Sequence, residues 1–131
     1  IAVVGAGPVG LWAAFLLTKR YASQGVSKSR RFDDFEVCVL ETRPKDQHCA
    51  RKEIRIQLST ATQNLLNQRT NSAKFDTGMS VAEIEKKLLK QLQKAARRGA
   101  VRFARNIEDP RQFASDEGFD CVLWAGGRRS L

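Results

Sequence analysis

Cysteine is scarce in this sequence, three among 131 residues, and histidine scarcer still, with one. Cys38, Cys49 and Cys121 share no C-x-x-C spacing and have only His48 nearby as a co-ligand, so the sequence frameworks of a metal site are missing and no metal is expected. Cys38 and Cys121 fall inside apolar segments and read as buried small hydrophobes, whereas Cys49 lies in a polar loop and reads as the exposed one. Without a paired framework the chain is no disulfide-stapled scaffold, and a reducing compartment, the cytoplasm, is the expected location. Long hydrophobic runs are missing as well. No stretch approaches the ~20 apolar residues of a membrane-spanning helix, and the apolar segment after Gly10 belongs to a turn motif rather than to a signal peptide. Acidic residues are outnumbered, 14 against 23 Lys and Arg, for a net charge of +9. Such a surplus raises nucleic acid or a membrane surface as a partner. The basic residues are instead spread over Lys28 to Arg31, Arg43 to Arg55, Lys86 to Arg98 and Arg128-Arg129, with aromatics interleaved only near Phe32 and Phe35. That spread reads as a solvated surface, and no specific nucleic-acid partner is expected.

What the sequence does have begins at its first residue. Ile1-Ala2-Val3-Val4 is a short β-branched run, too short for a helix, that passes directly into Gly5-Ala6-Gly7-Pro8-Val9-Gly10 and then into the helical Leu11-Trp12-Ala13-Ala14-Phe15-Leu16-Leu17. Strand, G-x-G-x-x-G turn and helix in that order are the context in which the glycines acquire separate tasks. Gly5 permits the tight turn, Gly7 lets backbone approach a pyrophosphate, and Gly10 lets the helix pack on the strand. Pro8 falls where a helix has no amide partner to lose, and the free amides of that first turn, around Val9, face the anion. The third confirming feature is an acid closing the next strand. Phe35-Glu36-Val37-Cys38-Val39-Leu40 reads as that strand, with Glu41 at its carboxyl end. The 31 positions from Gly10 to Glu41 exceed the usual spacing of about 20, and the excess is assigned to the polar excursion from Ala22 to Asp34. A carboxylate at Glu41 accepts both hydroxyls of an adenosine ribose and repels a 2′-phosphate, so the nucleotide is expected to be FAD or NAD rather than NADP.

Further along, the first helix is expected to bury Val9, Ala13, Leu16 and Leu17 and to end near Lys19-Arg20. Arg43 stands ready for the adenine or a phosphate, and the charged stretch Lys45 to Gln57 offers Arg51 and Arg55 as guanidinium ligands for pyrophosphate. His48, within it, reads as a surface residue. Ser59-Thr60 caps a helix ending near Arg69, followed by a polar loop from Thr70 to Gly78. Ser80-Val81-Ala82-Glu83 is a capping box before an apolar stripe of Ile84, Leu88 and Leu92 that closes at Gly99, its outer face basic. Val101-Arg102-Phe103 reads as a third parallel strand, after which Asn106 to Glu108 would lie beside an adenine. A polar connection containing Pro110 then leads to a buried strand, Phe119 to Ala125, ending at Gly126-Gly127-Arg128-Arg129-Ser130.

V-V-G-A-G-P-V-G-L, E-T-R, M-S-V-A-E-I-E-K-K-L-L-K and D-C-V-L-W-A-G-G-R-R-S-L together resemble the FAD-binding half of the flavoprotein monooxygenases of the para-hydroxybenzoate hydroxylase class, most of all the MICAL-type monooxygenase domain. The resemblance implies an α/β, Rossmann-like FAD/NAD(P)-binding domain over residues 1–131, a central parallel sheet flanked by helices, forming part of an NAD(P)H-dependent monooxygenase. By it Gly5, Gly7, Pro8, Val9 and Gly10 face the pyrophosphate, Glu41 the ribose, Arg43 the adenine side, and Arg51 takes the place of the family's loop arginine. The chain starts inside a strand and stops after a Gly-Gly turn, so it is expected to be a piece of a longer protein, with the substrate pocket elsewhere and no catalytic acid, base or nucleophile of its own. It departs from the family pattern in three places. Gly126-Gly127 replaces Asp-Gly, Ala82 replaces an arginine, and the connection from Asn106 to Gly118 is short. Two other readings use the same turn, an NAD-linked dehydrogenase domain and a degenerate, non-catalytic nucleotide-binding module.

Overall fold

The computed structural model describes residues 1–24, 36–71, 73–96 and 100–126. The elements run β1 (Ala2–Val4), α1 (Pro8–Gln24), β2 (Glu36–Glu41), β3 (Arg55–Ile56), α2 (Thr60–Arg69), β4 (Met79–Ser80), α3 (Val81–Ala96), β5 (Ala100–Arg105), α4 (Pro110–Glu117) and β6 (Val122–Trp124). The expected excursion beyond Gln24, the cap at Gly99 and the glycine turn from Gly127 onward lie outside the described residues.

Alternating apolar side chains build two packed faces on one sheet, because successive strand residues point to opposite sides. Val3, Val37 and Val39 join Leu11 and Phe15 of α1, Leu66 of α2 and Ile84 and Leu88 of α3 in the larger core. Ala2, Val4, Cys38 and Leu40 point the other way, onto Ala114 of α4. The protein is therefore α/β, a four-stranded parallel sheet in the order β5-β2-β1-β6 with helices on both faces. Counting only these four strands in chain order gives 3-2-1-4, an arrangement compatible with a Rossmann-like fold. The chain reverses its direction across the sheet at β1, and the glycine turn leaves the carboxyl end of that strand, where open parallel sheets hold their ligands.

The capping box forms as expected: Ser80 Oγ accepts from the Glu83 amide at 3.2 Å, and the Glu83 carboxylate accepts from the Ser80 amide at 2.7 Å. Ser59 caps α2 through the Thr62 amide. Several expectations are corrected. α1 runs on to Gln24 and buries Leu11, Ala14, Phe15 and Thr18, while Val9 is 69 % exposed. The polar loop before Gly78 lies where expected, while the short antiparallel pairing of β3 with β4 that follows it was not expected. The connection containing Pro110 is a helix, with Asp109 accepting from the Arg111 and Gln112 amides at its start and Gly118 at its end. The last strand is not buried. β6 forms an edge of the described sheet, Leu123 and Trp124 are exposed, and so is Cys121 just before it. An edge strand has a neighbour on one side only, so apolar composition alone does not bury it.

Candidate functional site

The turn after β1 is held by its own geometry. The Gly5 amide donates to the Leu40 carbonyl of β2 at 2.8 Å, and Gly5 adopts φ 99°, a conformation in which a Cβ would also lie 2.8 Å from the Gly126 Cα. At Gly10 a Cβ would fall 1.7 Å from the Gly5 carbonyl oxygen, so α1 rests directly on the turn. Gly7 differs from both. A Cβ there would meet Arg51 Nη2 and Glu85 Oε1 at 3.9 Å, an ordinary van der Waals contact without a clash. Pro8 opens the helix, and Val9 and Gly10 follow in its first turn, where amides have no carbonyl of their own helix to bond.

Glu41 closes β2 within reach of this turn. Its carboxylate is 3 % exposed and accepts from the Ala6 amide at 3.0 Å, from the Arg43 amide at 2.9 Å and from Arg43 Nε and Nη2 at 3.1 and 2.8 Å. Burial alone would raise its pKa. The Arg43 guanidinium and amide, the Arg43 charge and the Ala6 amide outweigh burial and hold it at about 2, against an ordinary 4.5. Because the folded-state pKa lies below the unfolded one, this stabilisation is complete above about pH 4.5 and is lost as the pH falls toward about 2. Its size is on the order of 3 kcal/mol. Urea unfolding at about pH 5 and about pH 2.5 should therefore show a smaller acid-induced loss in Glu41→Gln than in the wild type, and equal losses would contradict it.

A second carboxylate stands opposite. Glu85, on the inward face of α3, is fully buried, pairs with Arg51 Nη2, lies 3.5 Å from Arg43 Nη2 and accepts from the Cys49 amide at 3.2 Å. Arg43 thus joins the two acids, and Arg51 pairs with the second of them beside Gly7. Among the described residues the buried side-chain nitrogens without a hydrogen-bond partner are Arg43 Nη1 and Arg51 Nε. Such donors each cost about 1–3 kcal/mol when left unpaired, and both belong to this cluster beside Gly7.

His48 is buried, contrary to its expected surface position, at 6 % exposure. Arg105 Nη1 lies 2.8 Å from Nδ1, and a guanidinium has only donors, so Nδ1 accepts and Nε2 donates to the Ala6 carbonyl at 2.7 Å. Arg105 in turn stacks on Phe103, its guanidinium carbon 4.3 Å from the ring centre. The backbone of Ala6 is therefore held at both of its peptide groups, the N–H by Glu41 and the C=O by His48. The donor atoms of His48, Cys49 and Glu85 lie within 4.8 Å of one another, a spacing compatible with a metal ion. Their bonding argues otherwise. Both ring nitrogens and both carboxylate oxygens are already engaged, and burial and then the Glu85 charge raise the Cys49 thiol, which disfavours the thiolate a metal requires.

Of the residues read from the sequence, Gly5, Gly7, Pro8, Val9, Gly10, Glu41, Arg43 and Arg51 gather at the carboxyl ends of β1 and β2. Arg55 does not, since it donates to the Gly78 carbonyl instead. The segment after β5 does reach the strand end, Ile107 donating to the Glu41 carbonyl at 3.1 Å. Glu85 and His48 were not anticipated. Glu85 carried a signal, because it falls within the apolar stripe of Val81, Ile84, Leu88 and Leu92. No helix among the described residues is long and apolar enough to cross a membrane. No protein-family model matches the chain, and no curated protein matches it significantly.

Proposed function

We propose that the chain binds the ADP portion of FAD and is the FAD-binding, Rossmann-like portion of an NAD(P)H-dependent flavin monooxygenase. The observation that carries the reading is the Gly7 backbone, which lacks a side chain, lies just before the first turn of α1 and faces the Arg51–Glu85 pair at 3.9 Å. A pyrophosphate there meets helix-end amides, the positive end of the helix dipole and a guanidinium. The donors left unpaired on Arg43 and Arg51 supply hydrogen bonds that nothing else in the cluster uses. Glu41 lies one hydrogen bond from the turn, as a ribose-binding carboxylate must, and its low pKa keeps it an acceptor at neutral pH. The choice of FAD over NAD rests on the resemblance in the glycine turn, E-T-R and the long helix.

The flavin, when bound, supplies the redox chemistry, passing electrons from NAD(P)H to oxygen and oxygen to a substrate. This chain's part is to bind and orient. The turn holds phosphate, Glu41 fixes the ribose, and the His48 and Glu41 bonds hold the backbone at Ala6. Glu41 already accepts five hydrogen bonds, so ribose hydroxyls enter by taking over positions now filled by Arg43. Calorimetry with ADP and its 2′,3′-dideoxy analogue tests the assignment. Wild type should prefer ADP by about 1–3 kcal/mol, and Glu41→Ala should lose that preference. A variant that weakened for both ligands equally would show Glu41 to be structural only.

A further inference from the structure

We infer that Glu85 is a resident anion occupying the phosphate subsite, and that an incoming nucleotide binds by taking Arg51 from it. This deepens the reading above and rests on it. Glu85 Oε1 and Arg51 Nη2 stand at the same distance, 3.9 Å, from the point where a Gly7 side chain would begin. That point is the side of the backbone which the absence of a side chain opens to phosphate. A fully buried carboxylate there has the charge, the oxygen acceptors and the partners of a phosphate oxygen: a guanidinium from Arg51, a backbone amide from Cys49 and the Arg43 guanidinium at 3.5 Å. With two acids against two arginines, Glu41, Glu85, Arg43 and Arg51 carry no net charge among them. A dianionic pyrophosphate entering that cluster meets no surplus of positive charge unless one carboxylate gives way. Glu41 is fastened by five hydrogen bonds, from Ala6 of the turn and from its neighbours Thr42 and Arg43. Glu85 is held by one amide and one guanidinium of the loop 44–51 and by Arg43 Nη2 at 3.5 Å, fewer bonds than Glu41 has, so it is the acid that the exchange displaces.

The exchange sets affinity, because the phosphate must outcompete an anion already in place. Glu85→Gln keeps the shape and removes the charge, leaving Arg51 and the unpaired Arg43 Nη1 and Arg51 Nε for the ligand. ADP should bind this variant at least about tenfold more tightly than wild type, the weight of one hydrogen bond to a charged group no longer competed for. Adenosine, which has no phosphate, should bind both alike. Arg51→Gln should weaken ADP more in the Glu85→Gln background than in wild type, because only there is Arg51 free. If removing the buried charge prevents folding, Glu85→Asp, which withdraws the carboxylate by one methylene, should shift ADP affinity in the same direction. Wild type that binds ADP while the Glu85 variant binds equally or more weakly overturns the inference and leaves the nucleotide reading intact. Wild type that does not bind while the variant does supports it. Failure of both to bind ADP overturns both.

Discussion

Gly10→Ala is expected to destabilise the protein by at least about 3 kcal/mol, the upper end of what an overpacked core costs, and to lower its unfolding midpoint accordingly. The added Cβ would fall 1.7 Å from the Gly5 carbonyl oxygen and 2.9 Å from its carbon, and both are backbone atoms. No rotamer change relieves such a contact. Either α1 lifts from the sheet, or the turn at Gly5 opens and gives up the amide bond to Leu40. Lifting α1 also separates Leu11, Ala14 and Phe15 from Val3 and Val39, so the loss propagates into the larger core. Urea titration followed by circular dichroism measures it, and a variant within about 1 kcal/mol of wild type would contradict this packing.

Gly7→Val should do the opposite, keeping the fold and removing the ligand. Gly7 has no positive φ, and a Cβ there meets only the ends of two side chains, at 3.9 Å, so the loss of stability should be smaller than in Gly10→Ala. The valine methyls would press on Arg51 and Glu85 and cover the backbone beside the turn. Phosphate would be pushed away from the first-turn amides, and losing hydrogen bonds to a charged group costs about 1.5–3 kcal/mol. ADP affinity should drop about 10- to 100-fold, with a melting temperature in the absence of ligand lowered less than in Gly10→Ala. Two neighbouring glycines of one motif thus separate into one that the fold needs and one that the ligand needs.

The parts of this architecture that were legible in the sequence are those fixed by short-range pattern. The turn with its strand and helix, the continuous apolar run Val37 to Leu40, and the Ser80–Glu83 box each specify their geometry within a few residues. The buried face of α1 was not legible because that helix is apolar nearly all round. Its rotation is set by Gly10 lying on Gly5, which places Ala14 and Thr18, four and eight residues on, against the sheet. α4 was missed because the segment containing Pro110 read as a polar connection. With Asp109 before it, the same proline is a first-turn residue, and Asp-Pro was the available signal. His48 carried none. Its burial arises from a loop docking between Ala6 and Arg105, partners 42 and 57 positions away in the chain.

The central claim is that the backbone beside Gly7 receives a pyrophosphate, and the most direct test is calorimetric titration of ADP and adenosine into wild type and Gly7→Val side by side. The account predicts that wild type binds ADP more tightly than adenosine by about 10- to 100-fold, the weight of hydrogen bonds to a charged group, and that Gly7→Val loses this difference while retaining any weak adenosine binding. Equal affinities for ADP and adenosine in the wild type, or an undiminished preference for ADP in Gly7→Val, would contradict it.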